Sequence, residues 1–233
     1  MASRPVNTGG CLDAVLFDMD GTLLDSEKVW DVALADLASW LGGRLSPSAR
    51  RRMVGSSLAR SITIMHADLG IEADPESSGA YLLARTEELF RTNLVFKPGA
   101  RELLDAVAAA EVPAALVTST HRRLTEIALQ VIGRHYFAVS VCGDEVARPK
   151  PHAEPYLLAA RRLGVDPARS VAIEDSLLGI ASAEAAGCVL LAVPSEVTIP
   201  PAPGRTICAS LAGLGPSDLA ALVAARVSSA QSR

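Results

Sequence analysis

No stretch of this 233-residue chain stays apolar for the ~20 residues that a membrane span needs, and Met1 to Gly10 is polar, without the apolar core of a secretory signal. Both absences point to a cytoplasmic protein with no membrane partner. An excess of one charge is missing too. Twenty-two Lys and Arg against 26 Asp and Glu leave a formal charge of −4, and the basic residues are scattered, so the chain has no electrostatic footprint for nucleic acid. The one basic run, Arg50-Arg51-Arg52, reads as the solvated face of a helix. Cysteine is scarce: Cys11, Cys142, Cys188 and Cys208 lie far apart, three of them in apolar runs. That spacing suggests neither a zinc pair nor a secreted disulfide framework and leaves reduced, buried thiols. Repeats and low-complexity tracts are absent as well. What remains is 49% apolar residues, enough for one large domain, or for one carrying a smaller insert.

Order along the chain supports the second arrangement. Ala14 to Phe17 is a short apolar run that reads as a buried strand, and Gly21 lets the chain turn away from it. From Asp25 to about Leu94 the apolar residues recur at helical spacing, as in Trp30, Leu34, Leu37 and Leu41 or Ile62, Met65 and Leu69. Gly42-Gly43 and the stretch from Ala73 to Gly79 divide this region into separate helices. After Pro98-Gly99 short apolar runs alternate with helical patterns. Strands are expected at Ala114 to Val117, Ala138 to Cys142, Val171 to Ile173 and Val189 to Val193, with an edge strand near Thr206 to Ala209. Helices are expected through Leu103 and Val107, through Leu124 and Leu129, from Tyr156 to Leu163, from Leu177 to Ala186, and from Leu219 to Val227. The fold class is therefore α/β, a doubly wound parallel sheet with an inserted all-helical unit. The predicted division is a core of residues 1–24 and 96–233 and an insertion of residues 25–95.

Ligands of such sheets bind at the carboxyl ends of the strands, and those ends carry the chemistry here. Asp18 and Asp20 follow the first strand, Thr118 and Ser119 the second, and Glu174 and Asp175 a later one. A helix-loop-helix calcium loop starting at Asp18 is excluded, because its sixth and twelfth positions, Leu23 and Val29, lack the required Gly and Glu. Four carboxylates at one rim make a hard oxygen site suited to Mg²⁺. The hydroxyls of Thr118 and Ser119, with the free N–H groups of a following helix, suit phosphate oxygens, although plain helix capping is an alternative. Lys150, held between Pro149 and Pro151, presents a cation on a stiff loop.

The motifs Asp18-Met19-Asp20-Gly21-Thr22, Thr118, Lys150 and Glu174-Asp175, in that order, resemble those of the haloacid dehalogenase superfamily over about Ala14 to Val193. The helical insertion resembles the small cap of its branch of sugar-phosphate phosphatases and β-phosphoglucomutases. The resemblance implies Asp18 as nucleophile, Asp20 as general acid and base, and Thr118 and Lys150 as phosphate holders, helped by Gly21 and Ser119. It also implies Mg²⁺ held by Asp18, the Asp20 carbonyl, Asp175 and, directly or through water, Glu174. The expected activity is hydrolysis of a small phosphomonoester, a sugar or polyol phosphate. The mutase alternative lacks its markers, since Trp30 and Leu58 stand where β-phosphoglucomutases carry His and Arg. A non-catalytic phosphate sensor has no use for Asp20. The segment Asp25 to Trp30 resembles hexitol and 2-deoxyglucose 6-phosphate phosphatases. Trp30 there reads either as a stacking surface for a sugar or as an internal packing residue of the insertion. Gly55 and Ser56 form the candidate loop facing substrate. Oligomeric state is not legible.

Overall fold

The computed structural model describes residues 12–231; the expectations for Met1 to Gly10 and for Cys11 fall outside them. Six parallel strands form one sheet in the order β3-β2-β1-β4-β5-β6. These are β1 (Ala14–Phe17), β2 (Ala114–Val117), β3 (Val139–Val141), β4 (Ser170–Glu174), β5 (Val189–Ala192) and β6 (Arg205–Ile207). β1 lies in the middle, its Phe17 opposite Leu116 on one side and Ile173 on the other. The chain runs from β1 out to β3, then returns to β4 and runs the other way. The strand order therefore reverses between β1 and β4, where a crevice opens beyond the carboxyl ends.

Both faces of the sheet are covered, which is why its strands read as unbroken apolar runs. Val15 and Phe17 point into one core with Leu103 and Val107 of α5 (Ala100–Ala109), Leu124 and Ala128 of α6 (Arg122–Ile132) and Leu219 and Val223 of α9 (Pro216–Gln231). Ala14 and Leu16 point the other way, onto Tyr156 and Ala159 of α7 (Glu154–Leu163) and Ile180 and Ala183 of α8 (Leu177–Ala185). Each large side chain fully buried this way contributes ~1.5–3 kcal/mol over exposure. Cys142 and Cys188 are buried in this body and Cys208 half-buried, all three as free thiols. Burial pushes the thiols of Cys142 and Cys188 up to about 11 and about 12, so both stay protonated. No helix among the described residues is long and apolar enough to cross a membrane.

Between β1 and α5 come four helices, α1 (Glu27–Trp40), α2 (Pro47–Met53), α3 (Leu58–Leu69) and α4 (Pro75–Asn93). They share a separate core that includes Leu34, Leu37, Met53, Ile62, Met65 and Leu82. The two connections to the sheet run side by side: Asp25 N–H donates to Val95 O at 2.9 Å and Lys97 N–H to Leu23 O at 2.9 Å. Part of the expected Ala73 to Gly79 break belongs instead to α4. Asp74 caps it, accepting from the N–H groups of Glu76 and Ser77, and Pro75 fills the first helical turn, where a missing N–H costs nothing. The strand ends shift by a residue or two. Glu174 is the last residue of β4 rather than the first after it.

Candidate active site

Three acidic side chains and one lysine meet at the strand reversal. Asp18 leaves β1 with its N–H bonded to Ile173 O of β4 at 3.0 Å. The Lys150 ammonium donates to Asp18 Oδ1 at 2.7 Å, to Glu174 Oε1 at 2.6 Å and to Val117 O at 2.9 Å. All three of its protons are thereby engaged. Tyr156 Oη–H donates to the same Glu174 oxygen at 2.6 Å, and Ser176, the N-cap of α8, donates to Glu174 Oε2 at 3.2 Å. Lys150 is buried, not a solvated loop residue; its peptide bond to Pro151 is cis.

Asp18, Glu174 and Asp175 each offer an oxygen within 4.8 Å of the others. All three are buried, and one lysine cannot balance three carboxylates in a dry site. Burial, with the repulsion of Glu174, lifts Asp18 from 3.8 to about 8 against the pull of Lys150. Burial and the charges of Asp18 and Glu174 hold Asp175 well above the carboxylate range. Lys150 stays above the ordinary lysine value because those two carboxylates outweigh its own desolvation. Asp175 Oδ2 is buried with no hydrogen-bond partner among the described residues. A hard divalent cation fits this arrangement, since it takes carboxylate oxygens, satisfies the orphaned atom and removes the repulsion. Gly21 makes the approach feasible. Its φ is +77°, and a Cβ there would fall 2.0 Å from Asp175 Oδ2.

The fourth carboxylate does not join the other three. Asp20 turns toward the insertion, where its Oδ1 accepts from Ser26 Oγ at 2.6 Å and Trp30 Nε1 at 3.0 Å. Its Oδ2 accepts from Thr120 Oγ1 at 2.7 Å and, more weakly, from Thr118 Oγ1 at 3.4 Å. The expected four-carboxylate rim is thus a cluster of three with Asp20 beside it. Thr118 and Ser119 do not cap the next helix either, because the N-cap of α6 is His121. Thr118 Oγ1 accepts from Thr120 N–H at 3.0 Å, and Ser119 Oγ donates to Gly55 O of the insertion at 3.0 Å.

A pocket lies over this cluster, between the strand ends and the insertion, and Asp18, Asp20, Asp175, Thr118, Gly55 and Ser56 all reach it. Trp30 lines it while packing edge-on against Phe90, with centroids 5.9 Å apart, and donating to Asp20. Neither expected reading of Trp30 included that hydrogen bond. Ser56 Oγ is paired with Ser61 Oγ at 2.7 Å. Sequence reasoning missed Glu27 and Arg50. Arg51 and Arg52 are exposed as expected, but Arg50 turns inward to pair with Glu27 Oε2 at 2.5 Å, and both residues line the pocket. Thr120 and Tyr156 were missed as well. Thr120 had a legible signal, since it shares the turn with Thr118; the contact of Tyr156 with Glu174 had none.

Comparison with known proteins places this geometry. Residues 12–187 match the family model described as haloacid dehalogenase-like hydrolase. The phosphorylated carbohydrates phosphatase of Thermotoga maritima is 34% identical over 177 residues, 76% of this chain and 82% of that protein. Hexitol phosphatase B of Escherichia coli K12 is 30% identical over 189 residues, 78% of this chain and 83% of that one. Among solved structures, CbbY from Rhodobacter sphaeroides in complex with xylulose-1,5-bisphosphate superposes with a TM-score of 0.81 at 26% identity, covering 89% of this chain and 99% of that one.

Proposed function

The chain belongs to the haloacid dehalogenase-like hydrolases, and on that premise we propose that it is a Mg²⁺-dependent phosphatase of small phosphomonoesters, sugar or polyol phosphates, acting through an aspartyl phosphate on Asp18. The observation that carries the reading is the division of labour between neighbouring carboxylates. Asp18 sits in the cation cluster against Lys150, while Asp20 is held apart by hydroxyl and indole donors beside the same pocket. The names of the relatives, a phosphorylated-carbohydrate phosphatase and a hexitol phosphatase, support the substrate class.

Phosphoryl transfer needs alignment and charge compensation more than covalent help. Bound by Asp18, Asp175, the Asp20 carbonyl and, directly or through water, Glu174, Mg²⁺ would supply charge compensation to the transferring phosphoryl group. Lys150 aims Asp18 and lowers the cost of ionising it, and a bound cation would complete the ionisation that in-line attack on phosphorus needs. Thr118 and the turn at Ser119 hold phosphate oxygens beside Gly21. Asp20 gives its proton to the leaving alkoxide, then takes one from the water that hydrolyses the aspartyl phosphate, a role worth ~10²–10⁴ in rate. Direct contact of Lys150 with phosphate needs the release of one of its three present bonds, so charge compensation beside Asp18 is its first task. The free, buried thiols suit a reducing, cytoplasmic compartment.

Hydrolysis is favoured over the mutase reaction. The one arginine on the pocket wall, Arg50, is already paired with Glu27 and Asp31 and has no surplus charge for a second phosphate. The test is phosphate release from a panel of sugar and polyol phosphates with and without Mg²⁺. Asp18→Asn should abolish it while leaving the circular dichroism spectrum unchanged; turnover surviving in that variant removes Asp18 as nucleophile.

A further inference from the structure

One buried ion pair on the pocket wall has no part in the reaction derived above. Glu27, the first residue of α1, is 4% exposed, and Arg50 of α2 donates from Nη2 to Glu27 Oε2 at 2.5 Å and from Nε to Asp31 Oδ1 at 2.5 Å. Both residues line the pocket. Among the described residues, no protein group pairs with Glu27 Oε1 or with Arg50 Nη1. Glu27 thus has a further acceptor and Arg50 a further donor on a wall that also carries Leu34, Met53, Leu58 and Leu82 and, among polar residues, Ser56 and Ser61.

We propose that Glu27 and Arg50 form a subsite for adjacent hydroxyls of the alcohol half of the substrate, Oε1 accepting and Nη1 donating. The inference rests on the phosphatase reading and narrows it to monophosphates of uncharged, polyhydroxylated alcohols. A hydroxyl both donates and accepts, so two neighbouring ones complement this pair, which an apolar alcohol would leave desolvated and unsatisfied. A second anion fares worse. Arg50 is the sole lysine or arginine among the lining residues, and Glu27 with Asp31 outweighs its charge, so a second phosphate or a carboxylate would meet a wall of net negative sign. A purely structural tie between α1 and α2 predicts none of this selectivity.

The experiment compares kcat/KM of the Mg²⁺-loaded wild type for glucitol 6-phosphate, hexyl phosphate, phenyl phosphate and fructose 1,6-bisphosphate, then repeats it with Glu27→Gln. The wild type should prefer the polyol ester to hexyl phosphate and to the bisphosphate by ~10-fold or more. In Glu27→Gln the polyol ester should lose ~10- to 100-fold more than phenyl phosphate does, chiefly through KM. Equal losses on both esters, or a wild type that prefers the bisphosphate or the hexyl ester, overturn the subsite. If Glu27→Gln does not fold, the wild-type panel alone decides. Absence of Mg²⁺-dependent release from every ester overturns the phosphatase reading and this inference with it, whereas release without selectivity falls on the subsite alone.

Discussion

Lys150 holds two buried carboxylates at once, so its removal is a sharper probe than the loss of any single acid. Lys150→Met keeps the length of the side chain and leaves Asp18 and Glu174 facing each other without a counter-charge. We expect stability to fall by ~3 kcal/mol and turnover by at least ~10², read from the urea midpoint and from phosphate release. A variant as stable as the wild type would show that the ion pairs do not hold the site together. Trp30 makes a different prediction. Its indole N–H can only donate, so it fixes Asp20 Oδ1 as an acceptor, and Trp30→Phe removes that bond while keeping most of the bulk. An alkyl phosphate needs a proton on its leaving oxygen and a nitrophenyl phosphate hardly does. The variant should therefore lose ~10-fold in kcat/KM on the first and far less on the second. Equal losses would make Trp30 a packing residue only. Asp18, Thr118, Lys150, Glu174 and Asp175 were legible because each ends a strand run or sits in a proline-stiffened loop. Glu27 and Arg50 were not, being 23 residues apart on different helices, a pairing that no local period encodes.

Elements with a sharp start or stop were readable where a residue type forces the backbone. The apolar quartets Ala14–Phe17 and Ala114–Val117 are strands as expected, since burial on both faces leaves no polar position to blur them. Longer elements were cut short in the reading. α9 extends from Pro216 to Gln231 beyond the expected Leu219 to Val227 because its polar first turn and small-residue last turns carry no apolar period. The loop between α2 and α3 carries the prediction at this scale. Gly55 has φ +69°, and a Cβ on it would meet Ser176 Oγ at 2.4 Å, while its carbonyl accepts from Ser119. The insertion rests on the core at this point, so Gly55→Ala should hold it off through both strain and overlap. We expect kcat/KM on a sugar phosphate to drop ~10-fold or more with the melting temperature little changed, because the two cores are untouched. Unaltered kinetics would mean that the contact is dispensable. The close approach of Gly99 to the Leu211 and Ala212 backbone ties the second connection to the core.

For the whole molecule, the three-acid cluster links metal, protons and stability in one cycle. Without metal, Asp18 titrates near 8 in the folded chain against a usual value of 3.8, and Asp175 is raised too. Between those values the folded state holds protons that the unfolded state has released. Asp18 therefore contributes a stability loss that grows as pH rises from about 4 toward about 8, and the raised Asp175 adds a loss of the same sign. A cation reverses this, since it binds the ionised forms and must displace the protons. Magnesium binding at pH 7 should release protons, seen as a binding heat that changes with the ionisation enthalpy of the buffer, and affinity should climb with pH through the titration of Asp18 near 8. The gain in melting temperature on adding Mg²⁺ should accordingly be larger at pH 8 than at pH 6, because at the higher pH the metal-free protein bears the uncompensated repulsion. Equal gains at the two pH values, with buffer-independent heats, would mean that the carboxylates are already ionised in the metal-free protein, and that the fold tolerates their charge by some means other than the cation site.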